Sequence, residues 1–416
     1  MGIGRIVLLV ALTLGLAAPD LRAQQPRGRD FRISRASERV PLPDVATAAD
    51  GSFVVVWTEV DVNLKHSDLI KARLFDAAGR PRSGPILIAR TSPQAFGIAA
   101  VAMAPDGRFV VVWQGDQENS DLVFGKRFDA DGRLLGSRFL LAGNARLHQF
   151  EPDVAMAPDG SFVAVWYQPD GGVTEGPTTD VVFRLFDADG RPRRRTLVAI
   201  GGYEEQSIPK VAMRPDGGFV VVCQSWIGEY DIKARLFSAS GVALGSQFLV
   251  NRDSPHREVS QFEPAVAMAA DGKFAIAWTD RGADRERNPD LGTEDYTGVA
   301  ARFYAADGTP LGPSLLLNTF LPGAQDKQAV SALPNHGFLV LWSSGSNQDG
   351  NGGGLFARVF GPDGAPREEK EFLIPEEPGV GAFPAVSVAP NGQGIAVWEG
   401  SDGEGTAIFG RLLGPP

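Results

Sequence analysis

The string VAMAPDGRFVVVW at residues 101 to 113 returns almost unchanged as VAMAPDGSFVAVW at residues 154 to 166, and looser copies bring the series to seven. The copies close at Trp57, Trp113, Trp166, Cys223, Trp278, Trp342 and Trp398, at intervals of 53 to 64 residues. A sustained period of this kind marks solenoids, propellers and arrays, in which one small unit is stacked many times. Within each copy the residues alternate at the period of a strand, giving strand A, a tight turn, and strand B ending at the tryptophan. A variable polar connection follows, then strand C (IKARLF at 70 to 75), a turn (DAAGRP), and a short apolar strand D such as FLVN at 248 to 251.

The two ends of the chain decide between an open row and a ring. The seventh copy ends in AIFGRLLGPP, which supplies strand C but no strand D, while FRIS at Phe31 to Ser34 precedes the first strand A. Such a permutation lets the first and last segments share one sheet, which removes the exposed edges that invite aggregation. The expectation is an all-β chain folded as one seven-bladed β-propeller of four-stranded antiparallel blades, closed by the Phe31 segment in the last blade. The 50 glycines and 30 prolines suit a fold with so many turns.

Residue choices agree with wedge-shaped blades. Strand A carries valine at Val45, Val101, Val154, Val211, Val266, Val330 and Val386, each followed by alanine or serine. Strand B carries the bulk, with Phe53, Phe109, Phe162, Phe219, Phe274 and Phe338 ahead of the six tryptophans. The A-to-B turns use Asp-Gly at five places and Asn391-Gly392 at a sixth, supplying the positive φ of a tight hairpin. Copy six departs with Asn335-His336-Gly337. One strand C position is always cationic: Arg73, Lys126, Arg184, Arg235, Arg302, Arg358 and Arg411. Sevenfold repetition favours a repeated structural contact, with a turn aspartate of a neighbouring hairpin as the expected partner, over a ring of ligand-facing cations.

The repeat resembles propeller repeats of secreted bacterial proteins, which read P-x-V-A-x-x-x-D-G-x-F-V-V-x-W, then R-F-D-x-x-G and a short F-x-V-N strand. The resemblance spans essentially the whole chain after residue 23, with RFDADGRLLGSRFLL at 127 to 141 and RLFSASGVALGSQFLVN at 235 to 251 as clear matches. It implies the fold and an extracellular setting rather than an activity. The calcium-binding glycine-rich nonapeptides of some such proteins are absent, and so is the S-x-D-x-G-x-T-W box of sialidases.

Residues 1 to 23 read as a signal peptide, with Arg5 before an apolar run from Ile6 to Ala18 and Ala23 before the new N-terminus at Gln24. Residues 24 to 416 then form the propeller, in a secreted or periplasmic protein, and no run approaches the length of a membrane-spanning helix. The single cysteine, Cys223, excludes an internal disulfide. A net charge of −10 without a basic stripe argues against a nucleic-acid partner.

The A-to-B and C-to-D turns share one face and repeat closely. The B-to-C and D-to-A loops share the other and diverge, so binding is expected there. Tyr167, Tyr203, Tyr230 and Tyr296 fall in those loops, with the acidic residues Asp280, Glu294 and Asp295 in the longest of them, TDRGADRERNPDLGTEDYTG. Trp226, three residues past Cys223, is either an exposed stacking platform or a filler for the space left by the missing tryptophan. These eight side chains are the candidate ligand contacts. No catalytic constellation, metal-ligand spacing or cofactor fingerprint is found, and the four histidines are scattered. The leading reading is a non-enzymatic protein that binds a carbohydrate, peptide or protein partner. One alternative is a polysaccharide-active hydrolase or lyase using the acidic loop residues, and another is a structural module of a surface complex.

Overall fold

A computed structural model describes residues 24–35, 42–61, 67–91, 98–117, 120–142, 147–169, 178–253, 259–282, 297–345, 348, 353–376, 381–401, 403 and 405–414. The described chain is all β, without a helix, and four of its six sheets hold four antiparallel strands in sequence order. The first holds Asp44–Thr47, Phe53–Asp61, Ser67–Phe75 and Ile86–Thr91 as strands A to D. Copies three and four join into one eight-stranded sheet through the single parallel pair Thr179↔Glu205. The signal peptide expected for residues 1 to 23 lies outside the described residues.

In the last sheet, the strands Ala382–Val388, Gly394–Ser401 and Thr406–Gly414 are followed in space by Gln25–Arg32, which pairs antiparallel with Thr406–Gly414. The strand starts six residues before the expected Phe31. Its first six residues, QPRGRD, have no apolar alternation to reveal it, and a bulge with Gly28 at φ 67° shifts the register between Arg27 and Phe31. Ile33 and Ser34 continue past the strand end: Ile33 N donates to Ile408 O at 2.8 Å, and Ile408 N donates to Ser34 Oγ at 2.9 Å. Each strand A packs against the strand A of the next copy, and Ala382–Val388 packs against Asp44–Thr47.

Apolar clusters lie between successive sheets. Trp166 and Phe162 of the third copy pack with Val110, Val112 and Val123 of the second, and Val45, Phe53 and Trp57 of the first pack with Ile395 and Val397 of the seventh. The six strand-end tryptophans and Cys223 are all buried. Five of the strand B phenylalanines stack on the aromatic that ends strand C, at 4.7–5.0 Å between ring centroids. His336 takes the left-handed turn position that glycine holds in the other copies, at φ 64°.

The seven strand C cations share one partner, and it is a main-chain carbonyl rather than a turn aspartate. Arg73, Lys126, Arg184, Arg235, Arg302, Arg358 and Arg411 donate to the carbonyls of Ile33, Ile88, Leu141, Ala199, Val250, Leu317 and Ile374, at 2.5–3.3 Å. Five of the acceptors lie just past the end of strand D of the preceding copy, where the ladder runs out, and the other two, Ile88 and Ala199, lie at a bulge within that strand. A charged donor satisfies each carbonyl and ties copy to copy. For Arg73 of the first sheet, the preceding strand is the Gln25 segment in the last.

Candidate functional site

In the fourth copy the B-to-C connection shrinks to Gly228 alone, at φ 90°, so strands Phe219–Ile227 and Glu229–Phe237 stay paired to their tips. Trp226 stands directly across from Tyr230, and Glu205 of strand A pairs with Trp226 from the other side. Trp226 is 42% exposed, Ile227 67% and Tyr203, two residues before Glu205, 84%. Tyr230 is half-buried. These residues form an aromatic ledge at the loop end of the sheet. Its base is fixed: Tyr230 N donates to Ser260 Oγ at 3.4 Å, and that hydroxyl donates to Glu229 Oε2 at 2.6 Å.

Register decides between the two expectations for Trp226. Residues three apart on a strand point to opposite faces, so Trp226 cannot enter the space beside Cys223. Cys223 is fully buried among Val163, Val165, Val181 and Ile200, and burial pushes its thiol above the ordinary range, leaving it inert. On that side of the sheet, Ser225 Oγ and Lys233 Nζ both donate to Glu204 Oε2. Burial would raise the Glu204 carboxyl, yet the ammonium and hydroxyl outweigh it and hold the group below the usual carboxylate range.

The other candidates are dispersed. Tyr167, in strand B of the third copy, is half-buried in a stack with Phe150 at 5.1 Å, and Phe150 stacks on His148 at 6.0 Å. Burial, then the charges of Glu151 and Asp121, push its phenol up. Asp280 ends a strand B, is 2% exposed, and accepts a hydrogen bond from Gly282 N at 2.9 Å. Tyr296, Glu294 and Asp295 lie outside the described residues. The structure therefore brings together Trp226, Tyr230 and Tyr203, and sets Tyr167 and Asp280 apart.

A second group escaped sequence reading. Where strand A begins, Glu151, Ile208, Glu263, Lys327 and Phe383 have left-handed backbones at φ 48–55°, each at a bulge in the A-to-B register. Such conformations at non-glycine residues are each held at a cost of about 1–3 kcal/mol by their surroundings. Contacts run from one bulge to the next: Glu151 Oε2 accepts from Ile208 N at 3.0 Å, Lys327 pairs with Glu263, and the Lys327 ammonium lies 5.4 Å from the centre of the Phe383 ring. Glutamines of the preceding sheets anchor them, Gln114 accepting from Glu151 N and Gln224 from Glu263 N.

Deeper along the same strands, Asp44 accepts from Val101 N at 2.7 Å and Asp153 from Val211 N at 2.8 Å, each bridging to another strand A. Burial pushes Asp44 up to about 6, with the Asp153 charge adding to the rise and the Lys210 charge opposing it; Asp153 and Glu151 are raised by burial as well. The signal was one column of the repeat: the residue before the strand A valine is Asp44, Asp153 or Lys210 in three copies and alanine in the other four. Among the described residues, no group of three or more His, Cys, Asp or Glu side chains is arranged to hold a metal ion.

Glu399, just past Trp398, is 7% exposed, and its Oε2 has no hydrogen-bond partner. Burial pushes its carboxyl up to about 7, from 4.5. An unfolded chain releases this proton near 4.5 and the folded chain near 7, so the stabilisation is complete below 4.5 and is lost as pH rises through 7. Glu399→Gln is therefore expected to match the parent at about pH 4 and to exceed its stability at about pH 8 by about 1–2 kcal/mol, less than the full shift because solvent screens part of the charge. Urea unfolding at the two pH values measures this, and a constant difference would contradict it.

The opposite face carries a shallow cavity of about 250 Å³ between the turns of copies three and four, lined by Pro158, Asp159, Arg193, Asp216 and Ala239 among others. It is formed from turn positions that recur in every copy, so it is a gap between neighbouring wedges.

In comparisons with known proteins, no family model matches the chain and no curated protein matches it. Solved structures do match in fold. An ulvan lyase, a polysaccharide lyase captured with a GlcA- and Rha-containing ligand, aligns over 94% of this chain and 96% of its own, at 12% identity and a TM-score of 0.57. A fungal alcohol oxidase in complex with copper aligns over 94% and 76%, at 11% identity and 0.53. A mutant alpha-L-arabinofuranosidase from Fusarium graminearum, in complex with an iminosugar inhibitor, aligns over 93% and 98%, at 11% identity and 0.50. At these identities the likeness establishes an all-β, propeller-like fold for this chain.

Proposed function

We propose that the protein is an exported seven-bladed β-propeller, of the repeat kind found in secreted bacterial proteins, that binds carbohydrate through its divergent loop face without catalysing a reaction. The observation that carries this reading is the Trp226–Tyr230 pair, held across a hairpin with a one-residue turn beside the exposed Tyr203. Rigid aromatic faces with polar tips suit the apolar faces and hydroxyls of sugar rings, and they lose little freedom on binding. Two of the fold neighbours, the ulvan lyase and the arabinofuranosidase, are proteins of carbohydrate chemistry, which supports the ligand class.

Glycan-array screening followed by calorimetry tests the reading. A glycan that binds the parent is expected to lose at least about tenfold in affinity to the Trp226→Ala, Tyr230→Ala pair, equivalent to about 1.4 kcal/mol, with little change in melting temperature. Unchanged affinity would contradict it.

One observation favours a polysaccharide-active enzyme as the second reading. Asp44 and Asp153 are raised by burial and share the field of Lys210, as groups of an acid–base site do. Each of these carboxylates already accepts a backbone N–H, which ranks this reading below binding. Release of reducing ends or unsaturated products from a glycan by the parent, abolished in Asp153→Asn, would reverse that order.

A further inference from the structure

The charge around the ledge selects among glycans, and this step rests on the carbohydrate reading above. Glu204, Glu205, Glu229 and Asp231 are clustered at the tip of the fourth copy, whereas of the two cations on this hairpin Lys233 is paired with Glu204 and Arg235 donates to the Ala199 and Gly245 carbonyls. Asp231 accepts from Asn251 Nδ2 at 2.8 Å, and Glu229 from Ser260. Glu205 and Glu229 are exposed on either side of the Trp226–Tyr230 pair, Glu205 opposite Trp226 and Glu229 next to Tyr230. A ligand seated on the two rings thus meets carboxylate oxygens at both edges.

We infer that the ledge takes a glycan chain whose stacked residues carry neither carboxylate nor sulfate. Sugar hydroxyls donate to carboxylates, and hydrogen bonds to an ionised acceptor are stronger than neutral ones. A uronate or sulfate ester in the same place brings a like charge against Glu205 and Glu229 while it loses water, and like-charge contact of this kind works as rejection of the wrong partner. The contrast between the two ligand classes is electrostatic, so it shrinks when salt is added.

The test is calorimetric titration of the full chain with neutral gluco-, xylo-, manno- and arabino-oligosaccharides, and with oligogalacturonate and sulfated oligosaccharides of matched length. The expected result is a neutral oligosaccharide bound at least about tenfold more tightly than any anionic one at low salt. In the Glu205→Gln, Glu229→Gln double variant, anionic binding is expected to rise severalfold while neutral binding does not improve. Tighter binding of the anionic class, or a preference untouched by the double variant, overturns the inference and leaves the carbohydrate reading standing. Binding of neither class removes both. A variant that retains the parent's melting temperature excludes misfolding as the cause of any change.

Discussion

Removal of residues 24–34 is expected to abolish the cooperative unfolding of the rest of the chain. The segment covers the open edge of Thr406–Gly414, and Phe31 packs on Phe75 of the first sheet with ring centroids 5.9 Å apart. Ile33, 2% exposed, belongs to the cluster that joins Val45 and Trp57 to Val397 and Ile408. Its carbonyl accepts from Arg73, and that of Gly28 accepts from Arg411 at 3.0 Å. Losing a buried isoleucine, a packed phenylalanine and the strand pairing together amounts to about 5 kcal/mol or more, comparable to the whole net stability of many proteins. The bared edge should also promote association. Tryptophan fluorescence in urea and size-exclusion chromatography measure both effects, and an unchanged transition would mean that the segment contributes little to the contact between the last and first sheets.

Truncating a strand-end tryptophan should come next in effect. Trp166 is fully buried against Ala100, Val112 and Val123, and its Nε1 donates to Gln168 Oε1 at 3.1 Å. Trp166→Ala is expected to lose about 3–5 kcal/mol, because neighbouring sheets cannot collapse into the void without shifting the whole stack. Cys223→Ala, at the equivalent position of copy four, removes one sulfur atom and should lose only about 1 kcal/mol. Urea midpoints of the two variants at a common slope give the comparison. Equal losses would show that the tryptophan position is not the seam between sheets.

The scaffold was legible because every copy repeats the same constraints. Valine and alanine in strand A, phenylalanine and tryptophan in strand B, and Asp-Gly turns each report the space available at one position of the repeat: the strand B phenylalanines and strand-end tryptophans are buried, the turn glycines take positive φ, and the strand A valines are buried in the first four copies and half-buried at Val266, Val330 and Val386. The partner of the strand C cations was misjudged, since sequence shows side chains and the acceptor is a main-chain carbonyl. The start of the Gln25 strand was hidden for a related reason. Edge pairing is made by backbone, and a polar stretch such as QPRGRD gives no apolar period.

The site was less legible. Trp226 could be noticed as an oddity of copy four, but its direction depends on a register that the one-residue Gly228 turn fixes. The bulges at Glu151, Glu263 and Lys327 depend on backbone geometry, and a single sequence offers only the proline that follows four of the five left-handed residues, Glu151, Ile208, Glu263 and Phe383. Asp280 illustrates the opposite case, an acidic residue in a polar stretch that folds inward to hold its own loop.

The division of labour between a constant face and a binding face is tested most directly by hydrogen exchange of the full chain, with and without a saturating oligosaccharide found by the glycan screen. Protection is predicted in the segments around Tyr203–Glu205 and Ser225–Asp231. Protection confined to the repeated turns around Asp159, Arg193 and Asp216, on the opposite face, would contradict the account.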